Sequence, residues 1–301
     1  MSEWGDSSKR IVFFGTPELS ARYLKALLDN GLGVVSVVTR PPKRRGRGSA
    51  LSPSPVEELA HLRGLQVLYS FEHLKPESYD LGLVVAYGRI IPEAIVNSLP
   101  LINVHYSLLP KYRGAAPMQW AILSGDHISG VTLMRIRKEM DSGEVYAQEE
   151  VEIDRLYLSE LAKVLTDRGI KMVLKWFMRS DDWISKGVAQ SGEVSYAPKL
   201  EKDTFFIKWD RSATEIERVV RLERAYTLLN SRRLQILKGH VVELDVETHL
   251  RPGSVVRDNQ ISYVVCNGGG FAPEIVKPEG SKEMSFEAFL QGHRELDLSF
   301  S

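Results

Sequence analysis

Asn103 and His105 stand one residue apart at the end of the apolar run LINVH, and Asp141 follows in KEMDSGE. Alternate side chains of a β-strand leave on one face, so a strand over 101–105 would present the Asn amide and the His imidazole to the same space. Both can donate a hydrogen bond to an oxygen that becomes negative during attack on a carbonyl carbon. A loop carboxylate such as Asp141, placed between turn-like residues, could orient the imidazole and shuttle protons. Asn, His and Asp also cap loops without doing chemistry, so the residue types alone leave both readings open.

These residues need elements to carry them. RIVFFG (10–15) reads as a buried strand, ELSARYLKALLDNG (18–31) as an amphipathic helix stopped by Gly31, and GVVSVVT (33–39) as the next strand. Further strands are expected at 80–87, 101–105 and 130–136, with helices near 55–63 and 117–124. Alternation of strand and helix implies parallel pairing and a doubly wound α/β sheet, Rossmann-like in outline. Such sheets bind ligands beyond the carboxyl ends of their strands, where Asn103 and His105 would lie. The stretch 159–178 repeats Leu161, Val164, Leu165, Met172, Val173 and Trp176 at helical spacing and closes this domain, taken as 1–188. Residues 189–206 lose periodicity and read as a linker. From 207 to 301 a short helix, 213–222, precedes β runs divided by turns, which predicts a small barrel of the oligonucleotide-binding (OB-like) kind.

Composition excludes several classes. The 301 residues, 43% of them hydrophobic, suffice for a large core, and no segment approaches the ~18 apolar residues of a membrane span, so a cytoplasmic protein without a membrane partner is expected. Cys266 is the single cysteine, which rules out an internal disulfide, and its apolar YVVC setting marks it as core. Lys plus Arg and Asp plus Glu each total 39, but the charges are uneven. Arg40, Lys43, Arg44, Arg45 and Arg47 crowd RPPKRRGRG without an acid, and a second basic stretch lies between Arg211 and His240. A polyanion is the natural partner of two such surfaces.

Other motifs fail. The turn after the first strand, GTPE, has one glycine where a dinucleotide fingerprint needs three, and no GxxxxGK[ST] loop occurs. NGGGF (267–271) fits a hairpin turn, Ser107 lies outside any GxSxG elbow, and the remaining histidines lack metal-ligand spacing, so no metal is expected.

NVHYSLLPKYRGAAP, followed by GVTLMRI and MDSGE, resembles the signature of the formyltransferases that use formyltetrahydrofolate, three separated pieces in the right order. FFGTPE, RGRG with LSPSPV, VVAYGRIIP and YAPKL resemble the methionyl-tRNA branch of that family. The resemblance implies transfer of the formyl group of 10-formyltetrahydrofolate, a co-substrate, to the α-amine of methionyl initiator tRNA, by a monomer. Asn103, His105 and Asp141 match the catalytic trio. Ser107, Leu108, Leu109 and Pro110 match one wall of the folate site, and VVAYGRIIP, with Tyr87, Gly88, Ile90 and Ile91, another. Arg40, Lys43, Arg44, Arg45 and Arg47 match a loop that meets the tRNA acceptor stem, and 207–301 the domain that holds tRNA. This chain departs from the branch at Pro42 and Lys43, where an acid and often Arg are usual, and at LERAY (222–226), where Pro-Trp-Pro-Gly is usual. Formyl transfer to an amino sugar, and nucleic-acid binding without catalysis, are the rival functions.

Overall fold

Strand β1 (Ile11–Gly15) is buried along its whole length, as a strand covered on both faces must be. In the computed structural model, which describes residues 9–44, 51–178, 186–243, 249–257, 261–293 and 299–300, it sits in the middle of a seven-stranded sheet. The elements that follow are α1 (Glu18–Asp29), β2 (Val34–Val38), β3 (Lys43–Arg44), β4 (Leu51–Ser52), α2 (Pro55–Leu62), β5 (Gln66–Leu68), β6 (Leu81–Val85), α3 (Glu93–Ser98), β7 (Leu101–His105), α4 (Pro117–Ser124), β8 (Ile128–Arg135), β9 (Val145–Glu152) and α5 (Leu158–Met178). The sheet order is β5-β2-β1-β6-β7-β8-β9. Strand order reverses between β1 and β6, which opens the crevice that such sheets use for ligands.

The expected Rossmann-like sheet is present, with one change of direction. GVTLMRI was expected to extend the parallel run, but β8 pairs antiparallel with β7 and β9 antiparallel with β8. For β9 the short connection gives the reason: its eight residues, VYAQEEVE, have no crossover helix before them and return alongside β8, whereas β8 reverses against β7 after the helix α4. The register pairs Arg135 with Ile102, so β8 ends beside the start of β7 rather than beside His105. The loop after β8 must therefore fold back over the sheet to reach His105.

The chain divides into two compact units: residues up to Met118 with Ile128–Glu152 and Ala162–Pro198, and Gln119–His127 with Ile153–Leu161 and the residues from Lys199 on. The second unit holds α6 (Ala213–Val220), β10 (Tyr226–Leu229), β11 (Arg232–Val242), β12 (Val255–Arg257), β13 (Ser262–Cys266), β14 (Gly269–Pro278), β15 (Met284–Ser285) and α7 (Phe286–Gln291). Its strands form the expected smaller antiparallel β structure, a curled half-barrel in the order β10-β11-β14-β13-β12, with β15 on β14. RRLQILKG and the start of HVVELDVE form one long strand, β11, which kinks through register shifts between Ile236 and Gly239. Asn267 and Gly268 make the hairpin turn between Cys266 and Gly269, which pair across it. Ile207, Trp209, Ile216, Val220, Ile236 and Phe271 fill the core, and Ser212 caps α6 in a reciprocal box with Glu215.

Around LERAY (222–226) polar bonds tie the chain to residues 153–159. Arg221, 7% exposed, donates from Nε to the Leu156 carbonyl at 2.9 Å and from Nη2 to that of Ile153 at 2.6 Å. Glu223 accepts from the backbone N–H and the hydroxyl of Ser159, both at 2.7 Å. Burial lowers the Arg221 pKa, yet guanidinium remains the charged form at any ordinary pH. No helix among the described residues is long and apolar enough to cross a membrane.

Candidate active site

β7 carries Asn103 and His105 on one face. Asn103 pairs with Val84 and Met134 and is half-buried; His105 pairs with Thr132 and is 5% exposed. The His105 ring is held by its Nε2, which lies 2.9 Å from the Tyr112 carbonyl. A carbonyl can only accept, so Nε2 carries the proton of the neutral ring and Nδ1 is the nitrogen left to gain or lose one. Nδ1 faces Asp141 Oδ2 at 3.6 Å, too long for a hydrogen bond but close enough for electrostatic pairing once the ring is protonated. The same Oδ2 accepts the backbone N–H of Gly114 at 2.9 Å. The structure therefore brings Asp141 to His105, as the sequence led us to expect, across the folded-back loop.

Asp141 occupies left-handed backbone at φ 48°, and Tyr112 does so at φ 60°. Non-glycine residues in that region cost about 1 kcal/mol or more and persist only where neighbours hold them. Here the neighbours are Arg113 and Gln190. Gln190 Nε2 donates to the carbonyls of Asp141 and Gly143, both at 2.8 Å. Its Oε1 accepts from Arg113 Nε at 3.1 Å and Nη2 at 2.6 Å. Gln190 belongs to the stretch 189–206, whose sequence reads as linker. Its beginning is instead well bonded: Arg113 bridges Tyr196, Tyr112 N–H donates to Ser195 Oγ at 2.9 Å, and Ala116 N–H to the Ala197 carbonyl at 3.1 Å. The one signal in the sequence is that these residues lack apolar periodicity and so could be wall rather than core.

The two expected folate walls divide by burial. Ser107 is fully buried and its hydroxyl donates to the Lys111 carbonyl at 2.6 Å, while its own carbonyl accepts Thr132 Oγ1 at 2.6 Å. Leu109 is 5% exposed and precedes a cis Pro110, and Leu108 packs against Gly130. In the other wall, Tyr87 is 2% exposed and its ring meets Phe14 and Phe71 edge-on, so that side chain is core and only its backbone faces the turn. Gly88 and Ile90 are exposed, Ile90 at 92%, and Ile91 is half-buried.

Among the basic residues, Arg40 differs from the rest. Its Nη2 donates to the Gly88 carbonyl, so it braces the turn after β6. Lys43 and Arg44 are exposed on β3, which pairs with β4. Arg45 and Arg47 lie outside the described residues.

Comparison with known proteins bears directly on this arrangement. A formyl transferase family model matches residues 9–177, and a model of the formyl transferase C-terminal domain matches 199–294. The methionyl-tRNA formyltransferase of Thermodesulfovibrio yellowstonii is 34% identical over 304 residues, covering 95% of this chain and 97% of its own. That of Desulfotalea psychrophila is 35% identical over 307 residues, covering 95% and 94%. Among solved structures, an N-formyltransferase from Helicobacter canadensis, in complex with folinic acid and dTDP-3-aminofucose, shares the fold with a TM-score of 0.66 at 19% identity, over 88% of this chain and 98% of that one. Full-length identity at that level, with both family models matched in order, makes this chain a formyltransferase and a member of the methionyl-tRNA formyltransferase family.

Proposed function

We propose that this enzyme transfers the formyl group of 10-formyltetrahydrofolate to the α-amine of methionine esterified to initiator tRNA. The observation that carries the reading is the likeness along the whole chain to methionyl-tRNA formyltransferases, 95% of this sequence and 97% of the relative's. Exposed Lys43 and Arg44 on a short hairpin offer positive charge to a phosphate backbone.

Attack of the amine on the formyl carbon forms a C–N bond and moves the carbonyl pair onto oxygen; collapse of the tetrahedral intermediate breaks the bond to N10. Asn103 and protonated His105 are the donors for that oxygen in this reading. His105 would use Nδ1–H, since Nε2–H is held by the Tyr112 carbonyl at 2.9 Å. Asp141, with Oδ2 3.6 Å from Nδ1, can take a proton from the attacking amine for delivery to N10. Losing one oxyanion donor costs about 3–4 kcal/mol of barrier in comparable sites. The folate would lie against the exposed turn at Gly88 and Ile90 and the loop from Leu108 to Pro110.

The test is incubation with 10-formyltetrahydrofolate and one acceptor at a time: methionyl initiator tRNA, free methionine, or a nucleotide-linked amino sugar. N-formyl product from the tRNA alone is expected, with turnover lowered by orders of magnitude in Asn103→Ala and Asp141→Ala and tRNA affinity barely changed. Formylation of the sugar in preference to tRNA, or unchanged turnover in either variant, overturns the reading.

A further inference from the structure

The loop that carries Asp141 leaves β8 beside Ile102, at the far end of β7 from His105, and is folded back over the sheet. Its own backbone resists that course, with Asp141 at φ 48°. Something outside the loop has to hold it. We propose that Gln190, anchored by Arg113, is a positioning residue for formyl transfer: one carboxamide clips two carbonyls of the Asp141 loop and thereby fixes the carboxylate against His105.

The chemistry of the contacts assigns the amide without ambiguity. Asp141 O and Gly143 O can only accept and the Arg113 guanidinium can only donate, so the group between them must offer NH2 on one side and oxygen on the other. A carboxamide does both at once, with two N–H groups for the two carbonyls and an oxygen for the guanidinium. Glutamate would keep the pairing with Arg113 but set a carboxylate oxygen against two carbonyls. The clip also closes a ring of bonds: Gly114, next to Arg113 in sequence, donates to Asp141 Oδ2 at 2.9 Å, so Arg113 and Gly114 hold the loop from its main-chain and side-chain ends together. Gly143 must approach closely for this to work, since a Cβ there would stand 2.0 Å from the Arg135 carbonyl. The segment with Gln190 falls in the gap between the ranges matched by the two family models, 9–177 and 199–294. Gln190 acts through the loop rather than on the reacting atoms.

The proposal rests on Asp141 working in catalysis, so that is measured beside it. Gln190→Glu, Gln190→Ala, Asp141→Ala and the double variant Gln190→Ala/Asp141→Ala are compared for kcat, KM for each substrate and thermal midpoint. Gln190→Ala and Gln190→Glu should lower kcat 10-fold or more, Glu the more severely, while KM for tRNA changes less than twofold. The double variant should be no slower than Asp141→Ala, because the clip has nothing left to position. Wild-type kcat in both Gln190 variants, or a double variant slower than Asp141→Ala by the full Gln190 factor, overturns the proposal. Should Gln190→Glu fail to fold, Gln190→Ala and Arg113→Ala carry the same comparison. Wild-type turnover in Asp141→Ala would instead sink the trio reading, a result distinct from either.

Discussion

Gly114→Ala tests whether the site's geometry depends on one backbone position. Gly114 sits at φ 129°, a conformation that side-chain-bearing residues almost never adopt, and an added Cβ would stand 2.7 Å from the Ala197 carbonyl oxygen. Ordinary contact begins near 3.4 Å, so something must retreat by about 0.7 Å. The carbonyl cannot easily give way, because it accepts the Ala116 N–H at 3.1 Å and Ala197 N–H donates to the Arg113 carbonyl at 2.8 Å. Gly114 itself must move, drawing its N–H away from Asp141 Oδ2. Forbidden backbone costs about 1–3 kcal/mol and the overpacking of a braced contact about 1–3 more. A loss of about 2–6 kcal/mol overall corresponds to a thermal midpoint lower by roughly 4–24 °C. Misplacement of a reacting group by up to 1 Å costs on the order of 100-fold, so kcat should fall about 10- to 100-fold at a temperature where the variant is folded. Calorimetry and single-turnover formylation read the two effects separately. A variant with lowered midpoint and wild-type kcat would refute the claim that the Gly114 N–H positions the carboxylate, and one normal in both would refute the close approach itself.

Arg221→Leu removes a donor from the half-buried Leu156 carbonyl and leaves the Ile153 carbonyl only the Leu156 N–H at 3.2 Å, and should cost about 1–3 kcal/mol of stability by denaturant unfolding; a loss under about 0.5 kcal/mol would count against the anchoring role. Neutralising Lys43 and Arg44 should weaken tRNA binding and reduce the slope of log K against log salt by about 0.7–0.9 for each phosphate that is no longer neutralised; an unchanged slope would mean that neither meets phosphate. Burial pushes the Cys266 thiol up to about 12, so alkylating reagents at pH 8 should modify it only after unfolding, and rapid labelling of the native protein would contradict its placement. The raised value also sets a sign: the contribution of Cys266 to stability is complete below roughly pH 8.5 and falls by about 1.4 kcal/mol per pH unit above it, as the unfolded chain alone loses the proton, until the folded thiol ionises too.

The fold was legible where local signals are strong. IVFFG and LGLVV have no polar residue to turn outward and are buried along their length, and the helices begin and end close to their Pro, Gly and Ser markers. The antiparallel return of β9 was not legible, because VYAQEEVE alternates weakly and its acids suit an exposed edge as well as a loop. Nor did residues 189–206 announce their packing. Polar, aperiodic sequence looks alike whether it is solvated or bonded to a neighbouring backbone, and the contacts of Ser195 and Gln190 are with chain more than 40 residues away.

The same contrast explains which parts of the site could be read. Asn103 and His105 were legible as a pair because a strand's two-residue period converts their spacing directly into shared direction, and both lie on β7. Asp141 could be named but not aimed. Its approach to His105 depends on a loop running against the direction of the strand before it, which no short-range pattern encodes. The bonds that reach that loop come from two places, the Gly114 N–H and the Gln190 amide, itself held by the Arg113 guanidinium, and they satisfy acceptors that the loop does not satisfy by itself. A carboxylate that must sit close to an imidazole without capturing it in a hydrogen bond needs such outside support. Asp141 Oδ2 is drawn by Gly114 at 2.9 Å and stands 3.6 Å from Nδ1, and in the proposed mechanism that distance keeps Nδ1–H available to a substrate oxygen. Under the proposed mechanism, a carboxylate released by Gly114 would close on the ring and compete with the oxyanion for that proton.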